Sequence, residues 1–82
     1  MNLADFERLL FRHGALTEPS VAAIRPRLSR WASTYAEVAR EFGTTAASNF
    51  LTLCILQAMP VRDRAKEHDL RNLMPWLRPY HI

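Results

Sequence analysis

The chain has 82 residues, 49% of them apolar and 23% charged, with a formal net charge of +3, a composition that excludes wholesale disorder and has room for one core in a single helical domain, 1–82. Its one cysteine, Cys54, excludes an intramolecular disulfide, and its apolar runs fall short of the roughly 18 residues that a membrane crossing needs. With no secretory leader pattern at the start, a reducing, cytoplasmic setting is expected.

Leu3, Phe6, Leu9 and Leu10 recur at helical spacing, with Asp5 and Glu7 early, where the positive end of the helix dipole favours acids. They predict a helix over 3–13, stopped by Gly14. Thr17 can cap the next segment with Pro19 in its first turn. Val21, Ala22, Ile24 and Leu28 supply its apolar face until Pro26 interrupts, so a helix over 18–25 and a kink or restart in "RPRLSRW" are expected. Thr34 and Glu37 have the spacing of a capping box, which predicts a helix over 35–42 with Val38, Ala39 and Phe42 on its apolar face. Gly43 can end it in a left-handed conformation. Thr44 or Thr45 then caps a helix over 45–59, closed by Pro60.

The last helix, over 61–74, is charged, with Val61, Ala65, Leu70, Leu73 and Met74 as its weak apolar side. The tail "PWLRPYHI" holds two prolines that forbid a regular helix. No alternating strand pattern occurs. The predicted fold is all-α, with four to five short helices in one compact domain and an irregular C-terminal tail rich in proline and aromatic residues. Its core is expected to be Phe6, Leu9, Leu10, Ile24, Trp31, Val38, Phe42, Phe50, Leu53 and Leu56.

Within "LLFRHGAL", the triplet Arg12, His13 and Gly14 reads like the phosphate-binding signature of the histidine phosphatases. In that family the triplet follows a β-strand, and a second histidine and further arginines converge on the phosphate. Here the preceding residues have helical period, and neither His68 nor His81 has a strand-loop context. His13 is therefore read as the last turn of a helix, facing the negative end of its dipole. His13, His68, His81 and Cys54 lack the paired spacing of zinc ligands, so no metal and no cofactor is expected. Cys54, inside "LTLCIL", is read as core filler, and two glycines leave no phosphate loop. The chain is accordingly expected not to be an enzyme.

Residues 35–56 resemble the helix-turn-helix of DNA-binding regulators. Ala39 stands where that motif has its small inward residue, Gly43 follows four residues later in the turn, and Val38 and Phe42 match its inward positions. In the second helix the inward places fall on Asn49 and Thr52 or, with a turn one residue longer, on Phe50 and Leu53. An ordinary αα-hairpin accounts for the same residues. The resemblance implies a transcriptional regulator acting on duplex DNA as a homodimer, since one short module buries little surface. Arg25, Arg27, Arg30 and Arg40 would hold phosphates, and Thr44, Thr45, Ser48 and Asn49 would face the groove.

A second class of function fits the same sequence. Residues 50–56 are apolar on nearly every side, which predicts a face left over after the core is filled. Trp31, Trp76 and Tyr80, beside Arg30 and Arg78, form the aromatic and arginine mixture that anchors protein interfaces. A small helical inhibitor or adaptor, occupying the surface of a larger protein and independent of any membrane, would bind through Trp31, Trp76, Arg78 and Tyr80.

Overall fold

A computed structural model describes residues 1–14 and 16–80. Three α-helices and one 3-10 turn follow in order: α1, Leu3–His13; α2, Glu18–Ala58; α3, Arg64–Asn72; and the turn Pro75–Leu77. The described residues contain no strand. The chain is all-α as its patterning predicts, but with three helices instead of four to five, because the segments expected over 18–25 and 35–42 run together in α2, which also takes in the segment expected over 45–59 beyond a break at Gly43.

Two physical reasons account for the merger. Val21, Ile24, Leu28, Trp31, Ala32 and Val38 are all buried and recur at three, four or seven residues, a continuous apolar stripe whose packing outweighs the local stop signals. Pro26 can neither donate to the Ala22 carbonyl nor let it approach. Both residues lie on the exposed side of the helix, however, where water can satisfy that carbonyl. Thr34 also starts nothing: its hydroxyl donates back to the Arg30 carbonyl at 3.0 Å, the mid-helix alternative to capping.

A straight helix of 41 residues would be about 60 Å long. The longest dimension of the molecule is 30 Å. The discrepancy is resolved at Gly43, whose φ of 90° and ψ of −177° are non-helical and divide α2 into a first arm, 18–42, and a second arm, 44–58. This region of backbone space is open to glycine and almost closed to other residues. Arg27 on the first arm donates to the Gln57 side-chain oxygen on the second at 3.1 Å. These partners stand 16 and 14 residues from Gly43, so the arms fold back on each other.

The second arm is the centre of the molecule. Phe50, Leu51, Leu53, Cys54, Ile55, Leu56 and Ala58 are all buried. The first arm covers one side; α1 covers another through Phe6 and Leu10; Met74 and Leu77 close the core from the tail. The apolar side chains of the run 50–56 are all buried, so no apolar face is left over, contrary to the sequence expectation. Phe50 and Leu53 are fully buried while Asn49 and Thr52 are half-buried, so of the two registers the sequence allowed, the inward places belong to Phe50 and Leu53.

Gly14 and Thr17 stand at the helix ends where they were expected, and the other ends use further signals. Asn2 caps α1, its side-chain oxygen accepting from the Asp5 amide at 2.8 Å. Asp63 caps α3 by accepting from the Lys66 amide at 3.0 Å, which shortens the charged helix predicted over 61–74 to Arg64–Asn72. Arg62 donates twice to the buried Glu67, at 2.6 and 3.2 Å, pinning the start of α3. Thr17 holds the cap position of α2, but its hydroxyl meets that of Ser20 at 3.1 Å instead of a backbone amide. Gly14 ends α1 with φ −142°, extended backbone that any residue adopts. What it supplies is space, since a Cβ there would stand 2.8 Å from Ile55 Cδ1.

Candidate functional site

The four arginines assigned to phosphates are engaged unequally. Arg25 lies 3.6 Å from Glu18 and 4.0 Å from Glu7. Arg27 is half-buried, bonded to Gln57 and laid over the Trp31 ring at 4.8 Å, which makes it a clamp between the arms. Arg40 stands 3.9 Å from Glu41, and Arg30 is exposed. Thr44, Thr45 and Ser48 are exposed at the start of the second arm, with Asn49 half-buried beside them.

The four residues of the second set divide differently. Trp31 is 0% exposed and belongs to the core, so it anchors no partner. Its indole nitrogen and the Gln57 amide nitrogen are enclosed without a hydrogen-bond partner among the described residues. Arg78 and Tyr80 line one cleft, and Trp76 lies on the turn just before them. The turn Pro75–Leu77 sends Leu77 into the core and leaves Trp76 half-exposed; the Tyr80 amide donates to the Leu77 carbonyl at 2.9 Å, continuing the turn. The prolines at 75 and 79 fix this shape by ruling out a helix.

Phe42, expected in the core, is 44% exposed and stacks on Trp76 with ring centroids 4.6 Å apart and planes 16° from parallel. It is the last residue of the first arm, immediately before the Gly43 break. Leu9, also expected in the core, is only half-buried. Burial, then the Glu37 carboxylate beside its hydroxyl and Glu41 behind it, hold the Tyr80 phenol above its ordinary value, with Arg40 opposing them.

Next to these aromatic residues a cleft of about 520 Å³ opens, lined by Arg71, Asn72, Met74, Pro75, Leu77, Arg78 and Tyr80. Comparison with protein-family models, with curated proteins and with solved structures finds no match. The geometry of this chain alone therefore carries the functional reading. Sequence reasoning grouped Trp76, Arg78 and Tyr80 but missed Phe42, Arg71 and Asn72. The signal available for Phe42 was its place immediately before the glycine; for Arg71 and Asn72 there was none.

The Arg12, His13 and Gly14 triplet lies at the end of α1, where His13 meets Thr52 at 2.8 Å. His68 is exposed on α3, and His81 lies outside the described residues. Cys54 is fully buried, and burial pushes its thiol well above the ordinary range, the chemistry of core filler. Among the described residues no helix is long and apolar enough to cross a membrane.

Proposed function

We propose that this chain is a small non-enzymatic helical protein that acts by occupying the surface of a partner protein with its C-terminal face, as an inhibitor or adaptor does. The observation that carries the reading is the exposed Phe42–Trp76 stack beside a cleft bearing Arg78 and Tyr80. Aromatic side chains and arginine are the residue types that dominate binding energy at interfaces. An aromatic ring stacked on a half-exposed neighbour is also held in one orientation before a partner arrives, which lowers the ordering cost of association. The test is affinity capture from the source cells with the native chain and with Trp76→Ala. A partner retained by the first and released by the second, with the melting temperature of the variant unchanged, supports the reading. Equal retention by both counts against it.

A second reading, a helix-turn-helix-like regulator of transcription acting on duplex DNA as a dimer, is favoured by one observation. Thr44, Thr45 and Ser48 are exposed at the start of the second arm, with Arg30 and Arg40 exposed on the first. Its test is a salt series with random-sequence duplex DNA. A DNA binder loses affinity with a log-log slope of about −0.9 per phosphate neutralised, and Arg30→Ala with Arg40→Ala flattens that slope by about two units if both touch phosphate.

A further inference from the structure

We infer that the cleft between the end of α3 and the C-terminal turn is a receptor for an acidic peptide segment, in which a carboxylate is held by Arg71 and Arg78 while a neighbouring apolar side chain rests on Pro75 and the Tyr80 ring. This rests on the protein-binding reading and names the chemistry of the partner.

The charge of the cleft carries the first half of the inference. Arg71 and Arg78 are both exposed on its wall, and neither makes an ion pair among the described residues. Other arginines of this chain do find acids: Arg8 with Asp5, Arg25 with Glu18, Arg62 with Glu67. No carboxylate is among the lining residues. Of the acids on neighbouring elements, Glu67 pairs with Arg62, Glu37 and Glu41 act on the Tyr80 phenol, and neither these nor Asp69 line the cleft. Two guanidinium groups that line one cleft and have no ion pair among the described residues, with Asn72 in the same lining, make a field that selects an anion, and the planar arginine fork matches a carboxylate.

The floor carries the second half. Met74 and Leu77 are 2% and 4% exposed, so the apolar surface that the lining offers belongs to the exposed Pro75 and the half-buried Tyr80. A free inorganic anion would leave that surface unused. A volume of about 520 Å³ is within the range of sites that enclose a small organic ligand or a few side chains. A peptide alternating acidic and apolar residues satisfies wall and floor together.

The test uses the full chain and a fluorescently labelled peptide alternating leucine and glutamate, with glutamine and lysine counterparts. Affinity is read by anisotropy, and the site by amide chemical shifts. The glutamate peptide is expected to bind, to move the amides of residues 71–80, and to weaken as salt is added. Arg71→Ala and Arg78→Ala should each weaken it by about tenfold, the loss expected when one charge-assisted contact is removed, with unchanged melting temperatures. The lysine peptide should not bind. A glutamine peptide that binds as tightly at the same amides overturns the acidic assignment and leaves the protein-binding reading standing. Absence of any peptide-induced shift at residues 71–80, or duplex DNA moving those same amides, overturns the cleft as a peptide receptor. Capture dependent on Trp76 remains a separate measurement, so the failure of one reading is distinguishable from the failure of the other.

Discussion

His13 and Thr52 join the end of α1 to the second arm of α2 by a hydrogen bond of 2.8 Å, and the direction of its proton is fixed by a second bond. The Thr52 hydroxyl donates to the Ser48 carbonyl at 3.2 Å, so its oxygen accepts and His13 Nε2 donates. His13→Ala should therefore cost about 0.5–1.5 kcal/mol of stability. In the native chain the imidazole nitrogen shifts should report the proton on Nε2. The opposite tautomer would show the bond to be assigned in the wrong direction.

The two glycines should respond differently to the same substitution. Gly43→Ala meets no atom within 4 Å, so its cost is backbone strain alone, about 1–3 kcal/mol, and no neighbouring substitution relieves it. Gly14→Ala adopts its φ without strain but drives Cβ against Ile55 Cδ1. Removing that methyl group with Ile55→Val should recover part of the loss, giving a favourable coupling energy in a double-mutant cycle. Additivity at Gly14 and Ile55 in chemical denaturation would contradict this reading of why position 14 is glycine.

Arg27→Ala should be the most destabilising of the arginine substitutions in the first arm, by about 1–3 kcal/mol, because it removes both the bond to Gln57 and the stacking over Trp31. Arg25→Ala, whose pairs with Glu7 and Glu18 are mostly exposed, should cost about 0–1 kcal/mol. Thermal denaturation of the two variants decides the matter. Equal losses would mean that Arg27 is not a clamp between the arms. The difference also bears on nucleic-acid titrations: weaker DNA binding by an Arg27 variant reports on phosphate contact only where its fold is shown to be intact.

Helical content was legible in the sequence because apolar spacing is local, and residues 3–13 could be read from their own period. Continuity of α2 was not. Pro26 and the Thr34–Glu37 pair are strong local signals, and what overrides them is a stripe from Val21 to Val38 whose partners lie on the second arm and on α1. The cap Asn2 stood directly before the apolar period that begins at Leu3, whereas no apolar run adjoined Asp63 closely enough to mark a helix start. At the site, Trp76, Arg78 and Tyr80 are close in sequence and could be grouped by eye. Phe42 reaches them across more than thirty residues through the fold-back at Gly43, a relationship that periodicity does not encode. Trp31 and Trp76 look alike in composition, yet one is enclosed and the other half-exposed, because only Trp31 falls on the buried stripe.

Docking of the tail should weaken in alkali, and Tyr80 sets where. Burial and the Glu37 carboxylate hold its phenol above the ordinary value of 10.0 in the folded chain, so the native state keeps this proton more tightly than the unfolded state. Below about pH 10 the phenol is neutral in both states, and the stabilisation is fully present. As the pH rises further, the unfolded chain loses the proton first, and the stabilisation disappears as the pH passes the folded value. The difference in tyrosinate absorbance between the native chain and Tyr80→Phe should therefore titrate with a midpoint above about 10. Tyr80→Phe should abolish the matching alkaline fall in stability, and Glu37→Gln should move the midpoint back toward the ordinary value. Because the ionised phenol would stand beside Glu37 and Glu41, its repulsion acts on the turn that carries Trp76, and the fluorescence of that indole should change over the same pH interval. A midpoint at or below the ordinary value would show that Tyr80 is not held against the first arm of α2, and the cleft it helps to line would lose one wall.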